Sequence, residues 1–208
     1  MSMRTLVRPR AFQISALTVV ALCALSFQDG RAQQIKNMDG SLSVIGTFTS
    51  STSGNGISDN PSRTLGALAQ FRQVFRPWLG YEVNYSYARY AEFFSNLPFS
   101  VQNNVHEVTV AYFVHTPTIL GMQLFAAGGL GTLVFLPTTT GGQYYPQQFR
   151  LPLLYEFGLN HPLFTNHFGV RLQIRGLDYK TPNFRSQRIT INARRETLEP
   201  AVGVYVHF

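Results

Sequence analysis

The last eleven residues, Leu198–Phe208 (LEPAVGVYVHF), alternate strictly between two kinds of side chain. The even-numbered positions are all apolar, whereas the odd-numbered positions include Glu199, Tyr205 and His207. Because successive side chains of a strand point to opposite sides, this pattern predicts a strand with one unbroken apolar face. Such a strand would be an aggregation hazard at an open sheet edge in water. A closed barrel has no free edge, and lipid can cover its apolar face.

Alternation along the rest of the chain predicts seven further strands. Gly80–Tyr90 is the clearest, because its large apolar and aromatic residues alternate with Glu82, Asn84 and smaller side chains. Met122–Phe135 is apolar at both parities, so the pattern does not assign its faces; its glycines could mark a bend or close packing. The eight predicted strands are Ser41–Ser50, Thr64–Phe75, Gly80–Tyr90, Val105–His115, Met122–Phe135, Leu151–Leu159, His167–Tyr179 and Leu198–Phe208.

The connections between these strands alternate in length. Three are short and carry Pro or Gly: Arg76–Leu79, Thr116–Gly121 and Asn160–Asn166. Four are long and mostly polar: Ser51–Arg63, Ala91–Asn104, Pro137–Arg150 and Thr181–Arg195. Short turns at one rim and long loops at the other are typical of bacterial outer-membrane barrels. The predicted fold is all-β, an eight-stranded antiparallel up-and-down transmembrane β-barrel spanning 41–208, with both termini on the short-turn, periplasmic side.

The first 32 residues have the pattern of a secretory signal peptide. Basic residues precede the apolar stretch Ala11–Phe27, and Gly30 and Ala32 are small residues before a cleavage site. An uncleaved membrane anchor is the alternative, and the short apolar core disfavours it. A lipoprotein leader ending at Cys23 is a second alternative. The sole cysteine lies in this leader, so the mature chain would have no disulfide and no cysteine-ligated metal. Residues 33–40 are predicted as a periplasmic lead-in.

Composition separates this chain from most soluble domains. Charged residues make up 13% of it, against about 25% in typical soluble domains. No stretch after the leader approaches the roughly 18 consecutive apolar residues of a spanning helix. The formal net charge of the chain is +7, and four of the arginines that contribute to this charge lie in the leader. Nucleic-acid binding would need a denser basic face, so we do not expect it.

Four segments carry a resemblance to a known family: Gly80–Tyr87 (GYEVNYSY), His106–Tyr112 (HEVTVAY), Arg171–Phe184 (RLQIRGLDYKTPNF) and Leu198–Phe208. With the loop layout, they resemble the small OmpA/OmpX-type outer-membrane barrels and, more narrowly, uncharacterised outer-membrane β-barrel domain proteins. The resemblance implies that the barrel-assembly machinery is a partner. It also implies that this machinery recognises the terminal strand through Val204, Val206 and Phe208.

Most charged residues of the predicted strands lie at the positions that face inward. An eight-stranded barrel is narrow enough for side chains to fill it, and buried charges there need partners. We therefore predict a lumen closed by Glu–Arg pairs, either as a static polar core or as a gated path for small solutes. The predicted network consists of Arg72, Glu82, Glu107, Glu156, Arg171, Arg175 and Glu199.

The last long loop is the most basic region of the sequence. Arginine binds phosphate with a bidentate fork, and the outer leaflet of an outer membrane is rich in phosphate. The prediction is a lipopolysaccharide-contacting surface, and the alternative is an ordinary solvated loop. Its residues are Arg150, Lys180, Arg185, Arg188, Arg194 and Arg195.

Aromatic residues cluster near both predicted rims. Two such belts would suit the two membrane interfaces. The outer belt is predicted from Tyr90, Phe93, Phe94, Phe135 and Tyr179. The alternative is a soluble lipocalin-like barrel, in which the apolar parity would face an internal ligand.

The predicted role is that of a non-enzymatic outer-membrane protein with a structural or surface-interaction function. Its partners would be outer-membrane lipid, lipopolysaccharide and an extracellular molecule of unspecified type. A narrow porin-like channel and a lipid A-modifying enzyme are the two alternatives. The sequence shows no convincing histidine–serine pair, and we expect no cofactor and no metal.

Overall fold

The structure is a computed structural model that describes residues 37–138, 144–165 and 167–208. The predicted signal peptide, residues 1–32, lies outside the described residues. Eleven strands are present in the described ranges: β1 Met38–Thr49, β2 Thr52–Gly54, β3 Ile57–Pro61, β4 Thr64–Arg76, β5 Leu79–Phe94, β6 Val101–His115, β7 Gln123–Pro137, β8 Gln148–Arg150, β9 Leu153–Thr165, β10 Phe168–Lys180 and β11 Arg194–His207. A short 3-10 helix, Gln187–Ile189, lies in the last long loop.

Eight of these strands close into an antiparallel barrel. The order around it is β1, β4, β5, β6, β7, β9, β10 and β11, and β11 pairs with β1 to complete the ring. The closing register places Val202 opposite Val44. The same Val44 pairs on its other side with Ala67 of β4. The predicted eight-stranded antiparallel barrel is confirmed.

The three remaining strands lie in the long loops. β2 and β3 form a hairpin between β1 and β4, and β3 also pairs with the end of β5. β8 adds three residues against the end of β7. No helix in the described part of the chain is long and apolar enough to cross a membrane.

The apolar parity of the strands faces outward. Val110, Tyr112 and Val202 are each more than half exposed, whereas Glu82 and Glu156 are fully buried. This orientation rules out the lipocalin-like alternative, which requires the apolar parity to line the interior.

Seven of the eight barrel strands are longer than the sequence predicted; β10 has the predicted length. β1 begins at Met38, because Asp39 and Gly40 already pair with both β11 and β4. The end of the predicted lead-in 33–40 therefore belongs to the barrel. At the long-loop end, β5 continues to Phe94 and β11 starts at Arg194.

The hydrophobic pattern reverses at the long-loop end. Here Arg89 points outward, while its neighbour Tyr90 is buried. The predicted outer aromatic belt is wrong for four of its five members, because Tyr90, Phe94, Phe135 and Tyr179 are buried and only Phe93 is exposed. The four buried rings belong to a hydrophobic cluster inside this end of the barrel. The cluster also includes loop residues, among them Tyr145, Phe184, Ile189 and Ile191.

The two faces of β7, which the sequence left unassigned, follow the same alternation. Phe125 and Leu133 are buried, and Leu124 and Leu130 are exposed. Gly131 lies on the inward parity, where a Cβ would be 2.2 Å from the carbonyl oxygen of Val108 on β6. Close packing of two backbones therefore explains this glycine.

Candidate functional site in the barrel interior

Arg72 on β4 is one of two arginines that organise the barrel interior. Its Nε donates to Glu82 Oε2 at 2.7 Å, and its Nη2 donates to Glu156 Oε1 at 2.7 Å. The side chain is 1% exposed and both partners are fully buried. The guanidinium also stacks on the ring of Phe125, with 3.9 Å from Cζ to the ring centroid.

Arg175 on β10 is the second organising arginine, and it contacts three carboxylates. Its Nη1 donates to Glu199 Oε2 at 2.8 Å, and its Nη2 donates to Glu107. Its Nε lies 3.2 Å from Glu156 Oε2. Glu156 thus links the two arginines, and we call these six residues the central network. Two guanidinium groups face four carboxylates in it.

Neutral side chains complete the hydrogen bonds of the central network. Gln70 donates to Asn84 Oδ1 at 3.1 Å, and Asn84 donates to Glu82 Oε1 at 2.9 Å. Thr109 and Ser86 both donate to Glu107, at 3.0 and 2.7 Å. Because buried carboxylates are costly unless they are hydrogen-bonded, these donors lower the cost of the network.

Arg171 lies nearer the short-turn end and does not share a carboxylate with the central network. Its Nη2 donates to Asp39 Oδ1 at 2.8 Å, and its Nε donates to Asn160 Oδ1 at 2.8 Å. Asp39 was not among the predicted network residues, because the predicted first strand began after it. The structure thus places all seven predicted lumen residues inside the barrel, six of them in one network of direct ion pairs, and Arg171 reaches that network through Ser41 and Gln70.

Arg195 was predicted to contact lipopolysaccharide, and the structure places it inside the barrel instead. Its side chain is fully buried. Nη1 donates to Asp59 Oδ2 at 2.6 Å, and Nη2 donates to Glu92. Arg195 lies inside because it shares the inward parity of Glu199 on a strand that begins at Arg194. We call Asp59, Glu92 and Arg195 the outer trio.

Asp59 lies on the β2–β3 hairpin, in a loop beyond the barrel strands. Burial and, to a smaller extent, the nearby Glu92 raise the pKa of its carboxyl, Arg195 lowers it, and the net result is a pKa of about 7. One guanidinium serves two carboxylates here, so a proton on Asp59 relieves the excess negative charge.

The other predicted basic residues have different environments. Lys180, Arg185 and Arg188 are exposed. Arg194 is also exposed and pairs with Asp178 at 3.0 Å. Arg150 is half-buried, and its Nη2 donates to the carbonyl oxygen of Thr181 at 3.0 Å. The structure therefore leaves four of the six at the surface.

The terminal strand presents its predicted assembly residues on the outer face. Val204 and Val206 are exposed, and Phe208 is 65% exposed. The backbone N–H of Phe208 donates to the carbonyl oxygen of Met38 at 2.8 Å, which fixes the last residue against β1.

A cavity of about 410 Å³ opens at the short-turn end of the barrel, and Asp39, His115, Gln123, Phe125 and Tyr205 are among its lining residues. Among the described residues, no group of three or more His, Cys, Asp or Glu side chains could hold a metal ion. His106, on the outer face, is hydrogen-bonded to Tyr85 Oη at 2.8 Å rather than to a serine.

Comparisons with known proteins agree with this architecture. No protein-family model matches the sequence, and no curated protein matches it. Among solved structures, Neisserial surface protein A (NspA) matches with a TM-score of 0.58 and 14% identity, over 82% of this chain and 97% of that one. The outer membrane protein OprG from Pseudomonas aeruginosa matches with a TM-score of 0.58 and 13% identity, over 83% and 97% of the two chains.

The chain has the fold of the small outer-membrane β-barrels. A third match is Ail, the attachment invasion locus protein of Yersinia pestis, with a TM-score of 0.50, 14% identity, and coverage of 83% and 99%. At 13–14% identity these likenesses show the fold alone, and the shared fold does not by itself assign an activity to this chain.

Proposed function

We propose that the protein is a non-enzymatic barrel of the bacterial outer membrane, with both termini in the periplasm and a lumen closed by Glu–Arg pairs. Its role is structural or interactive, through the four long loops at the outer surface. The observation that carries this proposal is the central network. Arg72 and Arg175 contact carboxylates from β5, β6, β9 and β11, so that their ion pairs cross the lumen.

Two further layers of buried side chains, the outer trio and the hydrophobic cluster, support a closed lumen. The outer trio links the first long loop to β5 and β11. The hydrophobic cluster at the long-loop end contains Phe135, Phe184 and Ile189, each at most 1% exposed. Water-filled passage would have to displace both layers in addition to the central network.

Conductance of the purified protein in planar bilayers tests the closed lumen. We expect no steady single-channel conductance for the folded wild-type protein. An ohmic pore of nanosiemens scale would contradict the proposal and favour the porin-like alternative. Heat-dependent migration on a denaturing gel, checked on the same sample, shows that the barrel is folded.

A lipid A-modifying activity is the other alternative. Mass spectrometry of lipid A from cells with and without the protein tests it, and we expect identical spectra. A new or lost acyl chain that depends on the protein would contradict the non-enzymatic assignment.

We further propose that the exposed basic residues of the last long loop contact lipopolysaccharide phosphate. Lys180, Arg185, Arg188 and Arg194 are exposed, and guanidinium groups suit phosphate oxygens. The double variant Arg185→Ser and Arg188→Ser should reduce the lipopolysaccharide that co-purifies with the barrel. Arg76, which is exposed at the short-turn rim, offers a matched control in Arg76→Ser. Unchanged co-purification in the double variant would remove this part of the proposal.

The exposed side chains of the terminal strand support the proposal that the barrel-assembly machinery is a partner. Val204, Val206 and Phe208 form a continuous exposed row at the end of the chain. Replacing Phe208 with Ser should lower the yield of assembled barrel in cells without preventing refolding of the purified protein in detergent. Equal yields in cells would contradict this role.

A further inference from the structure

The outer face of the barrel carries an apolar groove over β4. Its lining residues come from β11, β1, β4 and β5, and its volume is about 510 Å³. The small side chains of Ala67 and Ala69 lie between Val44 and Leu42 on β1 and two tyrosines on β5. Because alanine is much shorter than its neighbours on both sides, the surface is depressed at these two positions, between the larger Leu65 and Phe71 of the same strand. A depression of this kind on a lipid-facing wall fits an extended acyl chain.

Two arginines lie at the long-loop end of the groove. Arg63 directly precedes β4, and its guanidinium is 5.7 Å from the ring centroid of Phe48. Arg89 lies two residues beyond Tyr87 on β5, and its Nη2 donates to Gln102 Oε1 at 2.9 Å. Both arginines are exposed. Within the described residues, neither forms a salt bridge with a carboxylate, in contrast to Arg194 on the same rim.

Polar pairs continue from Arg89 down the same face. Tyr87 Oη donates to Asn104 Oδ1 at 3.1 Å, and Tyr85 Oη is hydrogen-bonded to the ring of His106 at 2.8 Å. Polar side chains are costly on a lipid-facing wall unless they lie at the interface with headgroups. The long-loop end of the groove is therefore at the level where the phosphates and sugars of the lipid headgroups begin.

We propose that this groove and its two arginines form a binding site for one lipopolysaccharide molecule. One acyl chain occupies the groove between Tyr85, Tyr87, Leu42 and Val44. Phosphates of the sugar headgroup are held by Arg63 on the β1 side and by Arg89 on the β6 side, because each guanidinium can donate two hydrogen bonds to a phosphate. The site rests on the proposed outer-membrane location, and it is separate from the basic last loop.

Binding of purified lipopolysaccharide to the folded, detergent-solubilised full-length barrel tests the site. The double variant Arg63→Ser and Arg89→Ser should bind at least about tenfold more weakly than the wild type, which corresponds to about 1.4 kcal/mol. A groove-filling variant, Ala67→Phe, keeps both arginines and should also bind more weakly. Arg76→Ser, at the opposite rim, should bind as the wild type does. Heat-dependent migration on gels confirms that each variant is folded.

Several outcomes would overturn the site. Wild-type affinity in the arginine double variant removes the phosphate contact, and wild-type affinity in Ala67→Phe removes the groove. Equal competition by phosphatidylglycerol vesicles shows a general preference for anionic lipid rather than a lipopolysaccharide site. If the wild-type barrel fractionates with the outer membrane but binds no lipopolysaccharide, this site fails while the proposed location stands. If it does not fractionate there, both fail.

Discussion

Arg72 Nη2 lies 2.7 Å from Glu156 Oε1, and this single bond joins two strands on opposite sides of the barrel. β4 and β9 are separated by three strands in either direction around the ring. Their connection therefore runs straight through the lumen. Arg175 extends it to β6 and β11, so that ion pairs hold the middle of the interior together, while the hydrophobic cluster fills the long-loop end.

The central network should tolerate loss of a carboxylate better than loss of a guanidinium, because four carboxylates face two arginines. Arg175→Met leaves three glutamates without that partner, and we expect it to lower the free energy of unfolding by about 3–5 kcal/mol. Glu199→Gln removes one of the excess charges and should cost less than about 2 kcal/mol. Urea unfolding in detergent, followed through the fluorescence of Trp78, the only tryptophan, measures both. A larger loss for Glu199→Gln than for Arg175→Met would contradict this charge balance.

Arg194 and Arg195 are adjacent in sequence and differ completely in environment, which makes them a matched pair. Arg195→Ser leaves Asp59 and Glu92 buried without their cation, so we expect a loss of about 3 kcal/mol or more. Arg194→Ser removes a pair whose side chains are 63% and 38% exposed, and its cost should stay below about 1 kcal/mol. The same urea titration compares the two. Equal midpoints would show that Arg195 is not part of a buried trio.

The outer trio should also make stability depend on pH. The pKa of Asp59 is raised to about 7 in the folded protein, above its ordinary value near 3.9. The folded state therefore holds this proton more tightly than the unfolded state does. The contribution of Asp59 to stability is present below about pH 4 and is lost as the pH rises towards 7.

The variant Asp59→Asn removes this titration while keeping the size of the side chain. From pH 5 to pH 8, the urea midpoint should therefore fall less for Asp59→Asn than for the wild type. Asp178→Asn, on an exposed residue paired with Arg194, serves as the control and should follow the wild type. If all three proteins show the same difference between the two pH values, the raised pKa is wrong.

Two glycines of β7 differ sharply in the space around them. A Cβ on Gly131 would meet the carbonyl oxygen of Val108 at 2.2 Å, whereas a Cβ on Gly128 would find its nearest neighbour, the carbonyl oxygen of Leu154, at 3.9 Å. Gly131→Ala should therefore disturb the pairing of β6 and β7 and lower the yield of folded barrel. Gly128→Ala should fold as the wild type does, and the heat-dependent gel shift measures both. Similar yields for the two variants would contradict this close packing.

Parity along the strands allowed the sequence to predict which residues face the lumen. Glu82, Glu107 and Glu156 lie on the inward parity, and the structure buries all three. The pairing among them could not be predicted in the same way. Alternation tells which face a side chain is on, but the height at which it meets a partner across the barrel depends on strand tilt and stagger.

The outer trio was missed because the hydrophobic pattern reverses towards the long loops, beyond the band of the barrel wall in which the outward side chains are apolar. Within the band, the outer face is apolar and the inner face is polar. At the long-loop end Arg89 faces outward, while Tyr90 and Phe94 lie inside with the loops. When the apolar residues switch from outward to inward positions, a strand predicted from their alternation ends too early. Extending the parity of Glu82 along β5 reaches Glu92, and extending that of Glu199 along β11 reaches Arg195.

The proposed membrane location requires that the apolar outer face of the barrel meets lipid. Cys23 is the single cysteine of the sequence, so a Cys23→Ser, Val110→Cys variant can carry one fluorophore on the outer face whether or not the predicted leader is removed. In reconstituted vesicles, we predict strong quenching of this fluorophore by lipids with brominated acyl chains and little quenching by aqueous iodide. Strong quenching by iodide with no effect of the brominated lipids would contradict the account, because the valines and tyrosines of this face would then lie in water.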